Sequence, residues 1–258
     1  MKSLILLTVL SLICLLTGCD DSPTAPSITE TIPESNQVIE TSQTISTETI
    51  IADTAEKNET LAEETEYIPA DTVSDLAEKD YLLPYEKYSW EREFDIEYVV
   101  LHFTSDVLNN PNNPHDVNTV KQIFEQSEIS THYIIDRNGK IKCFIPENYA
   151  AWHAGIGTFA DDEKYTNKIN KYSIGIEMLA IGTYNDMEQY LTKAEYDKID
   201  KSFIGFTDEQ YASLKDLLKE ICERYSIPYD REHIIGHDEY NSNKSDPGEL
   251  FDWDKLFE

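Results

Sequence analysis

The stretch Glu97-Tyr98-Val99-Val100-Leu101-His102-Phe103-Thr104 (EYVVLHFT) decides how the rest of the chain is read. Its β-branched and aromatic residues follow one another without polar alternation, which predicts a buried strand. Outward from it, Val117 to Ser127 predicts a short helix. Thr131 to Asp136 and Lys140 to Ile145 flank Arg137-Asn138-Gly139, and Asn-Gly between β-prone runs predicts a hairpin. Ser173 to Leu179 (SIGIEML) predicts another strand. From Thr207 to Tyr225 the pattern changes to a helical period. Thr207 with Gln210 forms a capping box, and Tyr211, Leu214, Leu217, Leu218, Ile221, Cys222 and Tyr225 mark one apolar face. Ile234-Ile235-Gly236 predicts a last short strand that enters a polar loop. Strands interleaved with helices imply an α/β fold with a central, mostly mixed β-sheet flanked by helices.

The N-terminal part has a different composition. Lys2 and the apolar run Leu4 to Leu16 have the form of an export signal, too short for an ordinary membrane-spanning helix. Leu16-Thr17-Gly18-Cys19 resembles a lipoprotein lipobox, which makes residues 1–19 a signal peptide with lipobox, cut so that a lipidated Cys19 becomes the first residue and anchors the chain in the lipid bilayer. From Asp20 to Asp80 there are 16 acidic residues and two basic ones, no Gly, and Tyr67 as the only aromatic. So little apolar surface cannot offset the entropy of ordering. Residues 20–84 are therefore expected to be a disordered acidic tether, and residues 85–258 the folded domain. A coil of about 60 residues spans roughly 40–45 Å. The expected location is outside the cytoplasm, held to an envelope membrane with the domain facing the wall or periplasm.

The whole chain carries 50 acidic residues against 21 basic ones, a formal net charge of −29. That excludes nucleic acid as a partner, because phosphate neutralisation needs clustered Lys and Arg. Once Cys14 and Cys19 are set aside, Cys143 and Cys222 remain. They could pair outside the cytoplasm, but each sits in an apolar segment that suits a core residue.

Three segments offer metal ligands. His102 ends the EYVVL run, His237 follows Ile234-Ile235-Gly236, and Asp246 sits in Lys244-Ser245-Asp246-Pro247-Gly248. Zinc accepts imidazole nitrogen and carboxylate oxygen, and catalytic sites keep a position open for water. Lys244 lies two residues before Asp246, where a cation could hold an oxyanion formed from an amide. Singly, each feature also fits a structural histidine or an ordinary turn, and the spacing matches no short metal motif.

Five segments occur in order: VVLHFT (99–104), STHYIID (130–136), AWHAG (151–155), NKYSIGIE (170–177), and Gly236-His237 through Lys244-Ser245-Asp246-Pro247-Gly248. Together they resemble the N-acetylmuramoyl-L-alanine amidase type 2 family, over about residues 85–258. The resemblance implies a Zn2+ enzyme that hydrolyses the amide between N-acetylmuramic acid and L-alanine in peptidoglycan or muropeptides. It implies His102, His237 and Asp246 as zinc ligands. Glu177 would take a proton from the attacking water, and Lys244 would stabilise the tetrahedral intermediate. His132, His153 and Trp152 would support the ligands from behind, line the substrate groove or support the fold. On its strand Glu177 shares a face with Gly175 and Ser173, so Gly175 is expected to leave room for substrate beside it. The segment Ala180 to Gly205 is longer than in the compact family form and is expected to be a helical lobe beside the groove. A wall-binding receptor without catalysis and a structural envelope lipoprotein are the alternatives from other classes.

Overall fold

Tyr98–Thr104 is an inner strand of a six-stranded sheet in the computed structural model, which describes residues 71–257. In chain order the strands are β1 (Ala77–Glu78), β2 (Ser89–Glu91), β3 (Tyr98–Thr104), β4 (Tyr133–Ile135), β5 (Ile141–Cys143), β6 (Tyr149–Ala151), β7 (Ser173–Leu179) and β8 (Ile234–Gly236). The helices are α1 (Tyr85–Tyr88), α2 (Val117–Ser127), α3 (Tyr184–Met187), α4 (Lys193–Tyr196), α5 (Asp208–Tyr225), α6 (His237–Tyr240) and α7 (Asp254–Phe257). The main sheet runs β1-β5-β4-β7-β3-β8, and β2 and β6 form a separate antiparallel pair. Only β4–β5 is antiparallel within the main sheet, so the sheet is mixed and flanked by helices, as the sequence leads one to expect. All seven residues of β7 are buried. A strand covered on both faces has no reason to alternate, which explains the unbroken apolar runs.

Helix α5 covers one face. Thr207 caps it, its side chain accepting from Gln210 N while Gln210 reaches back to Thr207 N. Leu214, Leu217, Leu218 and Ile221 are fully buried against Val99, Leu101, Ile174 and Ile176. Each such side chain contributes roughly 1.5–3 kcal/mol. The helix ends where Ser226 turns left-handed (φ 56°) and Ile227 N donates to Cys222 O. On the opposite face, α2 packs over Ile134, Phe144 and Leu179, and the segment around Tyr165, Ile169 and Tyr172 packs over Val100 and Ile235. The middle of that face, between the two clusters, is where the polar residues of the next subsection gather.

The hairpin forms, but Asp136 rather than a two-residue Asn-Gly turn organises it. Its Oδ1 accepts from Asn138 N and Lys140 N, and Gly139 (φ +79°) lies against the start of α5. Cys143 and Cys222 are both buried and unpaired. The Ala180–Gly205 insertion is a small lobe built on α3 and α4, with Val107, Ile181, Met187, Leu191 and Ile199 as its core. Gly205 N donates to Ile181 O at its base.

The packed structure begins earlier than residue 85. Thr72 O accepts from Glu147 N, Ser74 N donates to Tyr133 Oη (2.9 Å), Ser74 Oγ donates to Glu220, and Leu83 is buried. β1 then adds an edge strand to β5. Residues 71–84 are held by these hydrogen bonds to distant groups and by Val73, Ala77, Leu82 and Leu83 packed on the core, at spacings that leave no periodic apolar signal. The signal segment, Cys19 and residues 20–70 of the expected tether lie outside the described residues. No helix among the described residues is long and apolar enough to cross a membrane.

Arg92 is a half-buried hub that the sequence disguises within the charged run Glu91-Arg92-Glu93. Its Nε donates to Glu147 O, Nη1 to Lys171 O, and Nη2 to Tyr149 O and Ser173 O. Burial pushes its pKa down to about 10, which leaves the guanidinium charged. Arg92→Ala would remove the donor shared by the carbonyls of Glu147, Tyr149, Lys171 and Ser173. The expected loss is on the order of 3 kcal/mol of unfolding free energy, read as a lowered denaturation midpoint; an unchanged midpoint would contradict this role.

Candidate metal centre and its surroundings

Strand register assembles the centre. His102 on β3 pairs with Glu177 on β7, so their side chains stand side by side on one face. Leu101 pairs with Gly236 on β8, which brings the next residue, His237, level with His102. Asp246 arrives on the loop after α6, where Asp246 O accepts from Asp238 N. His102 Nδ1 lies 2.7 Å from Asp246 Oδ2, His237 Nδ1 lies 2.9 Å from the same oxygen, and the two Nδ1 atoms are 3.1 Å apart. The three residues form the group among the described residues that could hold a metal ion.

The hydrogen-bond chemistry fits a cation there. His237 Nε2 is 2.9 Å from Ala154 O, and a carbonyl can only accept. In the neutral ring that bond uses the single N–H, so Nδ1 presents a lone pair to the carboxylate of Asp246. Acceptor then faces acceptor in a buried place, which a positive ion between them resolves. Loss of water around the ring lowers His102 to about 4, so the ring is neutral.

Glu177 is buried and its Oε2 has no hydrogen-bond partner. Burial first, and the Asp246 charge second, raise its pKa well above the ordinary value, and the Lys244 charge pulls the other way. Lys244 also acts on His102. Lys244 therefore lies near enough for its charge to be felt at both groups.

His153 stands directly behind His102, with Nδ1 3.0 Å from His102 Nε2 and its ring edge-on at a centroid distance of 5.2 Å. Here the expectation for Gly175 needs correcting. A Cβ on Gly175 would meet His153 Cγ at 2.5 Å. The glycine makes room for that imidazole rather than for substrate. His132 is one step further away: its Nδ1 accepts from Gly175 N and its Nε2 donates to Tyr149 O, so it pins the strand beneath His153. Trp152 points elsewhere, 42% exposed and packed on Trp90 at a centroid distance of 4.2 Å. His233 pairs with Asp230, and His115 packs on Phe203. Sequence reasoning missed Arg92 and Ser173. The Ser173 hydroxyl lies 3.2 Å from His153 Nε2; the strand motif SIGIE contains it, but a Ser opening a buried strand carries no signal of its own.

The inserted lobe braces the loop that carries Lys244 and Asp246. Ser245 Oγ donates to Asp186 O, Asn185 donates to Glu249, and a Cβ on Gly248 (φ +86°) would press within 3.0 Å of Asp186 Oδ2.

A family model described as N-acetylmuramoyl-L-alanine amidase matches residues 92–249, more than half of the chain. The chain belongs to this family. It is 36% identical over 132 residues to the 1,6-anhydro-N-acetylmuramyl-L-alanine amidase AmpD of Haemophilus influenzae, covering 50% of this chain and 58% of that protein. It is 29% identical over 169 residues to the N-acetylmuramoyl-L-alanine amidase AmiD of Escherichia coli, covering 62% of this chain and 52% of that protein. The chain thus spans little more than half the length of these curated relatives. A crystal structure of a selenomethionine derivative of AmpD shares the fold, with a TM-score of 0.51 and 22% identity over 73% of this chain and 96% of that one.

Gly175→Ala is expected to displace His153 and weaken divalent-metal binding by about tenfold or more. Competition with a chromophoric chelator reads this directly; undiminished affinity would contradict the packing of His153 on Gly175.

Proposed function

We propose that the domain is a zinc-dependent hydrolase that cleaves the amide between the lactyl group of N-acetylmuramic acid and L-alanine, in peptidoglycan or in muropeptides released from it. The observation that carries this reading is the meeting of two imidazole nitrogens and a carboxylate beside a buried, unpartnered carboxylate oxygen of Glu177. His102, His237 and Asp246 would hold the ion. A zinc ion there would polarise the scissile carbonyl and make a nucleophile of water near neutral pH.

The chain's own residues supply the rest. Glu177, level with His102 across the β3–β7 pairing, takes the proton of the attacking water and can pass it to the leaving amine. Lys244 holds the negative charge that develops on the carbonyl oxygen. Trp152, exposed and packed on Trp90, offers an aromatic surface that would suit a sugar ring. The names of AmpD and AmiD support a muramyl-peptide substrate. The N-terminal sequence supports export, lipidation at Cys19 and anchoring in the bilayer, with residues 20–70 as an acidic spacer that carries the domain toward the wall.

Glu177→Gln is expected to lower kcat by about 10²–10⁴-fold with zinc content retained. The test is product analysis of purified peptidoglycan and of anhydromuramyl peptides digested by the full chain, with and without chelator. New L-alanine amino termini on intact glycan strands, lost on chelation and in the variant, are the expected result. A protein that binds the wall but releases no peptides would overturn the enzymatic reading in favour of a receptor.

A further inference from the structure

His102 can serve a metal only if its Nδ1 carries no proton, and the His102–His153 contact alone does not decide that. Two neutral imidazoles joined Nε2 to Nδ1 can be oriented either way, since each ring has one donor and one acceptor. The direction is decided further out. Ser173 Oγ lies 2.8 Å from Ile169 O and 3.2 Å from His153 Nε2. A carbonyl only accepts, so the single hydroxyl proton goes to Ile169 O along the shorter contact. The serine oxygen then turns a lone pair to His153 and accepts from Nε2–H.

We propose that Ser173 is a positioning residue for the metal centre, setting His153 and through it His102 in the tautomers that leave Nδ1 of His102 bare. The donors run in one direction: His102 Nε2–H to His153 Nδ1, His153 Nε2–H to Ser173 Oγ, and Ser173 Oγ–H to Ile169 O. With Nε2–H of His237 committed to Ala154 O, both imidazoles turn lone pairs toward Asp246. The frame is rigid. Ser173 is fully buried, Ile169 is fixed by Tyr172 N donating to the same carbonyl, Arg92 holds Ser173 O, and Gly175 seats the His153 ring. The opposite polarity, with the serine proton given to His153, would put a proton on His102 Nδ1, and zinc would have to displace it. The inference rests on reading His102, His237 and Asp246 as metal ligands, and requires no assumption about which amide is cut.

The test compares Ser173→Ala and Ser173→Thr with the unaltered full chain in zinc competition with a chromophoric chelator and in the visible spectrum of the cobalt-substituted proteins. Removing the hydroxyl leaves His153 Nε2–H buried without an acceptor, and zinc affinity is expected to fall by about 10–100-fold. The threonine hydroxyl is expected to restore most of that affinity and the cobalt spectrum. Unchanged affinity in Ser173→Ala, or equal loss in both variants, would overturn the proposal. Imidazole ¹⁵N NMR of the unaltered protein decides independently of any folding defect: a proton on His153 Nε2 is expected, and one on Nδ1 contradicts the relay. An intact relay in a protein that releases no muramyl peptides would leave this inference standing and remove the proposed function instead.

Discussion

The structure turns on a mismatch at its centre: the carboxylate of Asp246 faces the Nδ1 atoms of His102 and His237 at 2.7 and 2.9 Å, in a place with little water to relieve it. Hydrogen bonds behind each ring spend the imidazole protons on the far side, at Ala154 O and at His153. Such an arrangement is costly unless a cation joins the three groups. Much else in the fold is placed to sustain it. The parallel register of β7, β3 and β8 brings Glu177, His102 and His237 to one level, and the loop after α6 closes the set with Asp246.

The layers beneath show what that arrangement requires mechanically. Arg92 clamps the backbone at Glu147, Tyr149, Lys171 and Ser173, which are the segments that flank β6 and open β7. Glu147 is itself fully buried, where Arg224 and the hydroxyls of Tyr133 and Tyr225 compensate its charge. A buried carboxylate is tolerated only with such partners. Residues 72–74 tie into the same network, so the N-terminal strap and the far end of α5 share one anchor. On the other side the inserted lobe supports the Asp246 loop through Asp186. Support comes from both sides.

Most strands and both long helices were legible in the sequence, because burial on both faces leaves unbroken apolar runs and α5 carries its own cap and stripe. The trio His102, His237 and Asp246 was also legible, though only as five ordered motifs; no single histidine distinguishes itself from a structural one. What escaped the sequence has a common cause. Ser74, Arg92 and Ser173 act through hydrogen bonds to residues distant in the chain or to backbone carbonyls, and neither composition nor period records such partners. The start of the domain was placed too late for that reason. At Gly175 the sequence shows only that a side chain is missing, while the fold shows that His153 fills the space.

Zinc K-edge absorption of the metal-loaded full chain tests the central claim most directly. One zinc per chain, ligated by two imidazole nitrogens and oxygen with no sulfur, and lost in His237→Ala, is the expected result. Substoichiometric zinc, or a spectrum that Asp246→Ala and His237→Ala leave unchanged, would contradict the account, because the facing acceptors would then need some other relief.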